Sequence, residues 1–525
     1  MKPSALLFAF LALLTALRLF YIAQTELAAD EAYYYMWSQR PDLSYYSKGP
    51  GVAMTIRAAT SVFGANEFGV RWLSPLLALG TSLLMFSFAR RIYNESIAVW
   101  TVLAMNTIPI FNVGGLVMTI DPLSIFFWTA ALYAFWLALE KSPAFSLHWP
   151  LTGLLIGLGF LAKYTNAIQL LSVVLILAFT PRYRREFARP GFWLMLIVFL
   201  ACTAPVVIWN ADHSWITLTH LSSRGNLNTG FALHLKEPLE FLGAHLGVYS
   251  PLIFVGLLMA LWWARHEAAH KFKPRFLALF ALPLLVMYGF LSLKKAGQAN
   301  WTAPAFISLG ILAAALWHEA VARQPAKKKL VALALAIGIA MSFVILGTDM
   351  IRAAGIPFPY KLDPGARLRG WKSTAIMVDD FRKKYERDSG KPAFLIANKY
   401  QTAALLSFYL PDKRTEGPGH PAVYVPESQD IDSEFAFWPR YDEFVAPPPG
   451  TKPAEEYYTE EQGVNLFTGR NALYITDEIN DCPPSAIERG FEHVEMVALF
   501  DVERRGQVLR TVRIFACTNY RTISL

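Results

Sequence analysis

The chain carries an adjacent pair of carboxylates inside a stretch rich in aromatic residues. Asp30 and Glu31 precede a run of tyrosines that includes Tyr34, and Lys48 follows an aromatic pair that includes Tyr46. A carboxylate can take a proton from a hydroxyl group, aromatic rings can stack on a sugar, and a lysine can meet a phosphate. The alternative interpretation is an interfacial loop with the aromatic belt that membrane proteins usually have.

Charged residues also stand at the ends of apolar runs, where a charge is expensive. Asp121 begins one run, the pair Lys163 and Tyr164 interrupts another, and the pair Lys294 and Lys295 follows a third. Asp121 either caps a helix or serves the chemistry, because an acid at membrane depth is costly and usually functional. The lysines either extend toward the membrane surface or bind something anionic.

A second polar stretch contains Asn210 and four histidines, namely His213, His220, His234 and His245. Several histidines in one stretch raise the question of a metal site, but their spacings match no standard zinc pattern. We therefore expect structural or hydrogen-bonding roles for them. A divalent metal cofactor is left open.

Long apolar runs must position these residues, and their lengths indicate membrane-spanning helices, because a transmembrane helix needs roughly 20 apolar residues. Such runs occupy residues 5–23, 68–89, 96–114, 117–139, 191–209, 247–263, 276–293, 301–317 and 330–348. The stretch 151–180 is too long for one helix and breaks near Lys163, so it predicts two short helices. The prediction is an α-helical polytopic membrane protein with about eleven spans. The first span is not taken as a cleaved signal peptide, since Arg18 interrupts it.

The distribution of positive charge predicts the orientation of these spans. With the N-terminus inside, the inside loops carry 16 Lys and Arg residues and the outside loops carry 8. The positive-inside rule selects this arrangement, which places residues 349–525 outside. The basic excess of +12 in residues 1–348 is therefore attributed to loops beside a bilayer, and no nucleic-acid partner is expected.

The last third of the chain predicts a separate α/β domain. Residues 349–525 carry a net charge of −4 and follow a transmembrane domain of residues 1–348. Strand-like runs lie at 393–396 and 472–475, a helical stretch lies at 372–387, and a hairpin is expected at Arg505 and Gly506. Cys482 and Cys517 both fall in this domain, and whether they pair is left open.

Two short patterns suggest other chemistry and are set aside. Gly157-Leu158-Gly159 lies within an apolar run, so it predicts helix packing together with Gly153 rather than a dinucleotide loop. Asp430-Ile431-Asp432 has the metal-binding pattern of nucleotide-sugar transferases, but it lies on the side where nucleotide sugars are absent. The sequence has no Walker A pattern. The donor of any transferred group is therefore expected to reside in the membrane.

At these positions the sequence resembles the membrane-embedded C-type glycosyltransferases, which take sugars from polyprenyl phosphates. It is similar to the bacterial aminoarabinose-transferase and protein O-mannosyltransferase-like group, which includes enzymes that modify lipid A and the lipopolysaccharide core. The matching segments cover about the first 320 residues in order: Asp30-Glu31-Ala32-Tyr33-Tyr34, Tyr45-Tyr46-Ser47-Lys48-Gly49-Pro50, Glu67–Arg71, Thr119-Ile120-Asp121-Pro122, Leu161-Ala162-Lys163-Tyr164-Thr165, Trp209-Asn210-Ala211-Asp212-His213 and Ala299-Asn300-Trp301-Thr302. One departure is Gly49, since family members often carry two prolines after the loop lysine.

The resemblance implies an inverting sugar transfer at the periplasmic face of a bacterial inner membrane. By analogy Asp30 is the base that deprotonates the acceptor hydroxyl, and Glu31 supports it. The lysines assigned to the donor phosphate are Lys48, Lys163, Lys294 and Lys295. The residues assigned to substrate contacts are Tyr34, Tyr46, Asp121, Tyr164, Asn210, His213 and Asn300.

The implied partners are a polyprenyl-phosphate-linked sugar, the lipid bilayer, and an acceptor that is lipid A or lipopolysaccharide, another glycan or a protein. A flippase of lipid-linked sugars would share the spans and the lysines, but it needs neither an outer carboxylate nor a large outer domain. A non-catalytic scaffold that displays residues 349–525 would leave the pair Asp30 and Glu31 without a role. The pattern therefore favours a transferase over both alternatives.

Overall fold

The chain folds into two compact units, each of which is built from two separate segments of the sequence. The computed structural model describes residues 2–140, 146–225, 235–356, 358–443, 465–478 and 482–522. One unit, named here the helical unit, comprises Met1–Gln24 and Pro41–Pro357, and the other, the sheet unit, comprises Thr25–Arg40 and Phe358–Leu525. The segment with the adjacent carboxylates thus belongs to the sheet unit.

The helices of the helical unit are mostly long and apolar. They are α1 (Pro3–Tyr21), α3 (Gly51–Phe63), α4 (Glu67–Arg71), α5 (Leu73–Ile92), α6 (Glu95–Met105), α7 (Pro109–Gly114), α8 (Ile120–Glu140), α9 (His148–Ala162), α10 (Gln169–Ala178), α11 (Pro190–Asp212), α12 (Ile216–Arg224), α13 (Lys236–Tyr249), α14 (Pro251–His270), α15 (Phe272–Leu291), α16 (Ala305–Arg323), α17 (Lys327–Leu346) and α18 (Thr348–Ala353). Short 3₁₀ turns cover Tyr164–Ile168, Pro181–Ala188 and Ala299–Thr302.

Eight segments among the described residues are long and apolar enough to cross a membrane, which confirms a polytopic helical membrane protein. They are α1, the continuous Glu67–Ile92, α8, α11, α14, α15, α16 and α17. The other three of the eleven predicted spans correspond to the shorter helices α6, α9 and α10, which have 10 to 15 residues. The helix α3 was not anticipated, since its 13 residues lay in a predicted loop.

Close contacts between α9 and α11 depend on glycine. A Cβ on Gly153 would lie 2.1 Å from the carbonyl oxygen of Met195, and a Cβ on Gly157 would lie 2.4 Å from the Cβ of Cys202. Either side chain would collide with the neighbouring helix. The interpretation of Gly153 and Gly157 as packing residues is therefore confirmed.

The predicted break in the stretch 151–180 is present. Helix α9 ends at Ala162, and Lys163 adopts an extended conformation with φ −149° and ψ 116°. The chain then makes the 3₁₀ turn Tyr164–Ile168 before α10. Arg18, which interrupts the first apolar run, is buried in α1 and donates to the side-chain oxygens of Asn112 at 2.9 Å and Asn106 at 3.3 Å.

The sheet unit is built on four strands in the order β1-β2-β4-β3, with β1 (Ala393–Ala397), β2 (Asn471–Thr476), β3 (Phe491–Arg504) and β4 (Gln507–Tyr520). Strands β1 and β2 are parallel, and the other two pairings are antiparallel. Arg505 and Gly506 both have positive φ, which is typical of the two-residue hairpin turn that suits strand twist. Both predicted strands and the predicted hairpin are thus confirmed.

Helices α2 (Ala29–Ser38), α19 (Trp371–Ser389), α20 (Tyr400–Tyr409) and α21 (Ser485–Gly490) complete this unit. Helix α19 contains the predicted helical stretch 372–387. Cys517 is buried in the core and Cys482 is exposed, and both are free thiols.

Aromatic contacts hold α2 against α20 within the sheet unit. The backbone amide of Leu27 donates to the hydroxyl of Tyr409 at 2.6 Å, and the ring of Tyr35 meets Phe408 edge-on at a centroid distance of 4.8 Å. At the other end of the segment, the guanidinium of Arg40 donates to the carbonyl oxygen of Gly419. This segment is therefore part of the folded sheet unit and not a loose connection.

One carboxyl group in the sheet unit is buried at a cost in stability. Glu427 is 5% exposed, and its Oε1 accepts a hydrogen bond of 2.5 Å from the hydroxyl of Tyr520. Its Oε2 has no hydrogen-bond partner among the described residues. Burial raises the pKa of Glu427 to about 7, because the charged form is poorly solvated there.

We predict that Glu427→Gln makes the protein more resistant to alkaline pH. The pKa is higher in the folded state than the ordinary 4.5, so the folded state binds this proton more tightly. The resulting stability is present below pH 4.5 and is lost as pH rises through about 7, by up to about 3 kcal/mol. Glutamine cannot ionise, so the variant should unfold at a higher temperature than wild type at pH 8 and at a similar temperature at pH 5. The exposed Glu488→Gln is the control, and an equal difference at both pH values would contradict the assignment.

Candidate functional site

Three residues selected from the sequence meet in the helical unit. The Nζ of Lys163 lies 2.7 Å from Oδ1 of Asp121, and the side-chain amide of Asn300 donates to Oδ2 of Asp121 at 2.7 Å. Asp121 stands in the first turn of α8, Lys163 at the break after α9, and Asn300 in the 3₁₀ turn before α16. Three distant pieces of sequence are thus joined at one end of the helices.

This ion pair is largely withdrawn from solvent. The side chain of Lys163 is 7% exposed and that of Asp121 is 16% exposed. The position of Asp121 in a helix first turn favours its negative charge, and both of its oxygens accept a hydrogen bond. The prediction that Asp121 caps the helix with Pro122 at its first position is wrong, because α8 begins at Ile120 and both carboxylate oxygens accept from side chains of other segments. A lysine ammonium has three donors, and Asp121 is its only partner among the described residues, so two donors remain for a ligand.

The loop that carries Lys48 has a defined conformation. The carbonyl oxygen of Lys48 accepts hydrogen bonds from the amide of Tyr45 at 3.0 Å and from the hydroxyl of Ser44 at 3.2 Å. The Nζ of Lys48 donates to the carbonyl oxygen of Ser47 at 3.0 Å, and the residue is half-buried. The ammonium is therefore held near its own backbone, which limits the conformations it can sample.

The Lys48 loop packs against the segment that contains Lys163. The hydroxyl of Ser44 also bonds to the hydroxyl of Tyr164 at 3.1 Å. A Cβ on Gly49 would lie 2.4 Å from the carbonyl oxygen of Leu161, so only glycine fits there. The departure of Gly49 from the family pattern thus has a steric reason, and it allows the backbones around the two lysines to touch.

A further cation lies near Lys48 and was not singled out from the sequence. Nδ1 of His220 bonds to the hydroxyl of Tyr46 at 3.1 Å. Burial, and then the charges of Lys48 and Arg224, lower the pKa of His220 to about 4. The imidazole is therefore neutral at pH 7, chiefly because it is buried, and the charges of Lys48 and Arg224 both act on it. The only sequence signal for Arg224 is that it is a cation on the predicted outer side, where the positive-inside rule disfavours positive charge.

The other histidines of this stretch have separate roles. The ring of His213 stacks on Trp209 with a centroid distance of 3.9 Å, and Nε2 of His245 bonds to Thr302 Oγ1 at 2.7 Å. His234 lies outside the described residues. Within the described part of the chain, no group of three or more His, Cys, Asp or Glu side chains could hold a metal ion. Hydrogen-bonding and stacking roles are confirmed for the two described here.

Three of the selected residues lie apart from the ion pair. The side-chain amide of Asn210 donates to the carbonyl oxygen of Val206 at 3.0 Å, inside α11. Lys294 is half-buried and Lys295 is exposed just after α15. Neither lysine is among the hydrogen-bond partners of Asp121 in the described residues.

The two carboxylates of the sheet unit have different environments. Glu31 is fully buried, and its Oε2 accepts a 2.8 Å hydrogen bond from the amide of Ala28, which caps α2. Asp30 is exposed in the first turn of the same helix. Tyr34 is buried and its ring meets Trp37 at 4.9 Å. Asp30 is therefore accessible to a substrate, whereas Glu31 is committed to the helix start.

Comparison with known proteins agrees with this arrangement. Residues 47–209 match the family described as dolichyl-phosphate-mannose-protein mannosyltransferase. The chain is 28% identical over 291 residues to the protein named lipid A galacturonosyltransferase RgtD of Rhizobium johnstonii, covering 55% of this chain and 60% of that protein. It is 29% identical over 286 residues to an undecaprenyl phosphate-alpha-4-amino-4-deoxy-L-arabinose arabinosyl transferase of Pseudomonas paraeruginosa, covering 51% and 49%. The matches thus span about half to three fifths of these relatives.

The fold extends the likeness to almost the whole chain. It matches the crystal structure of ArnT from Cupriavidus metallidurans bound to undecaprenyl phosphate with a TM-score of 0.62 and 15% identity, over 98% of this chain and 97% of that one. The apo structure of the same protein gives a TM-score of 0.61 over 98% of both chains. The chain therefore shares the fold of ArnT over almost its whole length, and its residues 47–209 match the dolichyl-phosphate-mannose-protein mannosyltransferase family.

Proposed function

We propose that the chain transfers a sugar from a polyprenyl phosphate to an acceptor hydroxyl, with inversion, at the periplasmic face of the inner membrane. The observation that carries this proposal is the set of cations in the helical unit. The loop of Lys48 packs on the segment of Lys163, and the charge of Arg224 acts on the same histidine as that of Lys48. An anionic group is the ligand that such a set would bind.

The leaving group explains why cations suit this chemistry. A polyprenyl-phosphate sugar is a phosphate diester, and its departure as a monoester adds negative charge to the phosphate. Lys48 and Arg224 would stabilise that charge, and the two remaining donors of Lys163 would add hydrogen bonds. Asp121 and Asn300 would hold Lys163 in position. Lys294 and Lys295 remain candidates for later contacts with the same phosphate.

Proton acceptance is assigned to Asp30. The base would take the proton of the acceptor hydroxyl as its oxygen attacks the anomeric carbon in line with the departing phosphate, which inverts that carbon. Glu31 would act by fixing the start of α2 through Ala28. Contacts with the sugar and the prenyl chain are assigned to Tyr34, Tyr46, Asp121, Tyr164, Asn210, His213 and Asn300.

The relatives indicate the class of donor and acceptor. One relative is named for transfer of galacturonic acid to lipid A, and another for an undecaprenyl-phosphate-linked aminoarabinose. We infer an undecaprenyl-type donor and an acceptor that is lipid A or lipopolysaccharide, with another glycan or a protein as the alternatives. A flippase of lipid-linked sugars is the competing function, and it predicts no released polyprenyl phosphate.

We predict that the N-terminus is cytoplasmic and that residues 349–525 are periplasmic. The inside loops then carry 16 Lys and Arg residues against 8 outside, as the positive-inside rule requires. A reporter that is active only in the periplasm should be active when fused after Leu525, and a reporter that is active only in the cytoplasm should be silent there. The opposite pattern would contradict this orientation and the proposed periplasmic chemistry.

We predict that Lys48→Met weakens binding of polyprenyl phosphate by about 10- to 150-fold, the value of a charge-assisted hydrogen bond. Lys236→Met is the matched control, because Lys236 is an exposed cation of the second polar stretch whose partner is Glu240 on the surface. If the Lys48 variant and the control bound polyprenyl phosphate with equal affinity, Lys48 would not bind the phosphate and would be only a lysine at the membrane surface.

Lys163 needs a different design, because Lys163→Met leaves Asp121 partly buried without its cation and should destabilise the protein by roughly 3–5 kcal/mol. The double variant Asp121→Asn/Lys163→Met removes both charges and should recover most of that stability. Its affinity for polyprenyl phosphate then reports the role of Lys163 in binding.

We predict that Asp30→Asn lowers turnover by about 10²- to 10⁴-fold, the usual contribution of a general base, with nearly unchanged donor affinity. Purified protein would receive a polyprenyl-phosphate sugar and lipid A, and released polyprenyl phosphate and glycosylated product would be quantified. Glu31→Gln should cost less, and it should also lower the unfolding temperature because the cap on α2 is weakened. Wild-type turnover by Asp30→Asn would refute the base assignment, and no product from the wild-type protein with any acceptor would favour the flippase.

A further inference from the structure

A cavity of about 680 Å³ opens in the helical unit at the end opposite the Asp121–Lys163 pair. It is named here the distal cavity, and its lining includes Tyr93, Trp136 and Phe272, together with Glu140, the last residue of α8. Asp121 and Glu140 are separated by about 28 Å of helix at 1.5 Å per residue. The distal cavity is therefore outside the site described above.

Two cations of the distal cavity have no carboxylate partner among the described residues. The guanidinium of Arg182 lies over the ring of Tyr183 at 4.4 Å, and Nζ of Lys273 lies over the ring of Tyr93 at 5.5 Å. Both cations are exposed at helix ends. Their charges are thus supported by ring faces and remain available to an anion.

The acids of the cavity lining are already paired. Glu140 accepts from Arg91 at 2.6 Å, and Glu319 is paired with Arg323. A third lysine of the lining, Lys271, is paired with Glu267 at 2.6 Å. Because the other charged residues of the described lining are paired, its net positive charge comes from Arg182 and Lys273. An anion that enters the cavity is therefore attracted.

Two buried donors of the same cavity lack a partner. The hydroxyl of Tyr93 and Nε1 of Trp136 are buried, and neither has a hydrogen-bond partner among the described residues. Trp136 is 8% exposed, and its ring stacks on Phe272 at a centroid distance of 5.5 Å. A buried donor without an acceptor costs about 1–3 kcal/mol, so two in one cavity point to acceptor atoms that a ligand supplies.

We propose that the distal cavity binds the phosphate-bearing headgroup of an anionic phospholipid. Arg182 and Lys273 would hold the phosphate, Tyr93 and Trp136 would donate to headgroup oxygens, and the aromatic walls would contact the glycerol and the first acyl carbons. Basic pockets between helix ends are a known way in which membrane proteins bind acidic headgroups. A lipid fits better than a soluble anion because the cations border aromatic walls at the level where helices end.

The test compares lipids retained by the purified protein. Wild-type protein would be equilibrated in nanodiscs of cardiolipin, phosphatidylglycerol or phosphatidylethanolamine, transferred to detergent and examined by native mass spectrometry. We expect at least tenfold better retention of an anionic phospholipid than of phosphatidylethanolamine. Arg182→Gln/Lys273→Gln should lose at least tenfold of that retention. The control is Arg185→Gln/Lys329→Gln, which removes the same charge from exposed positions outside the cavity lining.

A second variant separates a ligand site from a structural one. Tyr93→Phe removes a donor that is unpaired without ligand, so it should leave the unfolding temperature in delipidated detergent unchanged or higher. The same variant should gain less thermal stability than wild type when cardiolipin is added. The proposal would be overturned if the Arg182→Gln/Lys273→Gln variant retained anionic phospholipid as well as wild type, or if wild type retained phosphatidylethanolamine equally well. It would also be overturned if cardiolipin stabilised Tyr93→Phe as much as wild type, or if millimolar inorganic phosphate displaced the lipid.

Discussion

The Lys163–Asp121 ion pair is the interaction on which the candidate site depends. Charges at the end of an apolar bundle are stable only when they are paired and hydrogen-bonded, and here Asn300 satisfies the second carboxylate oxygen. Helix α9 ends at Ala162, and Lys163, which follows in an extended conformation, contacts Asp121 of α8. The pair fixes the segment on which the Lys48 loop packs.

The two units carry different charged groups for the proposed reaction. The helical unit supplies cations, and the charges of Lys48 and Arg224 add to the effect of burial in lowering the pKa of His220. The sheet unit supplies carboxylates. Glu31 accepts a hydrogen bond at the start of α2, and Asp30 is exposed. A division of this kind suits a reaction in which one partner loses an anionic leaving group and the other loses a proton. Neither feature is expected of a scaffold that only displays a domain.

Periodicity and composition were enough to predict the long apolar helices, the break at Lys163, two strands and the hairpin at Arg505, because each is set by local residues. They also selected Asp121 and Lys163, since a charged group at the end of an apolar run is unusual, whereas Asn300 was selected by the family resemblance. The sequence could not predict which of these residues contact each other, because Lys163 and Asp121 are 42 residues apart in sequence, and Asn300 and Asp121 are 179 apart. The roles of Arg224 and His220, and the membership of α2 in the sheet unit, depend on long-range contacts in the same way.

Photo-cross-linking is the most direct test of whether the cations of the helical unit hold a polyprenyl phosphate. A polyprenyl phosphate with a photoreactive group beside the phosphate would be added to the purified protein, and labelled peptides would be identified by mass spectrometry. We expect labelling of peptides that contain residues 44–51, 161–165 and 220–224, with loss of label when unmodified polyprenyl phosphate competes. Label confined to other peptides, such as those around Glu140 and Arg182, or label that competitor does not reduce, would contradict this expectation.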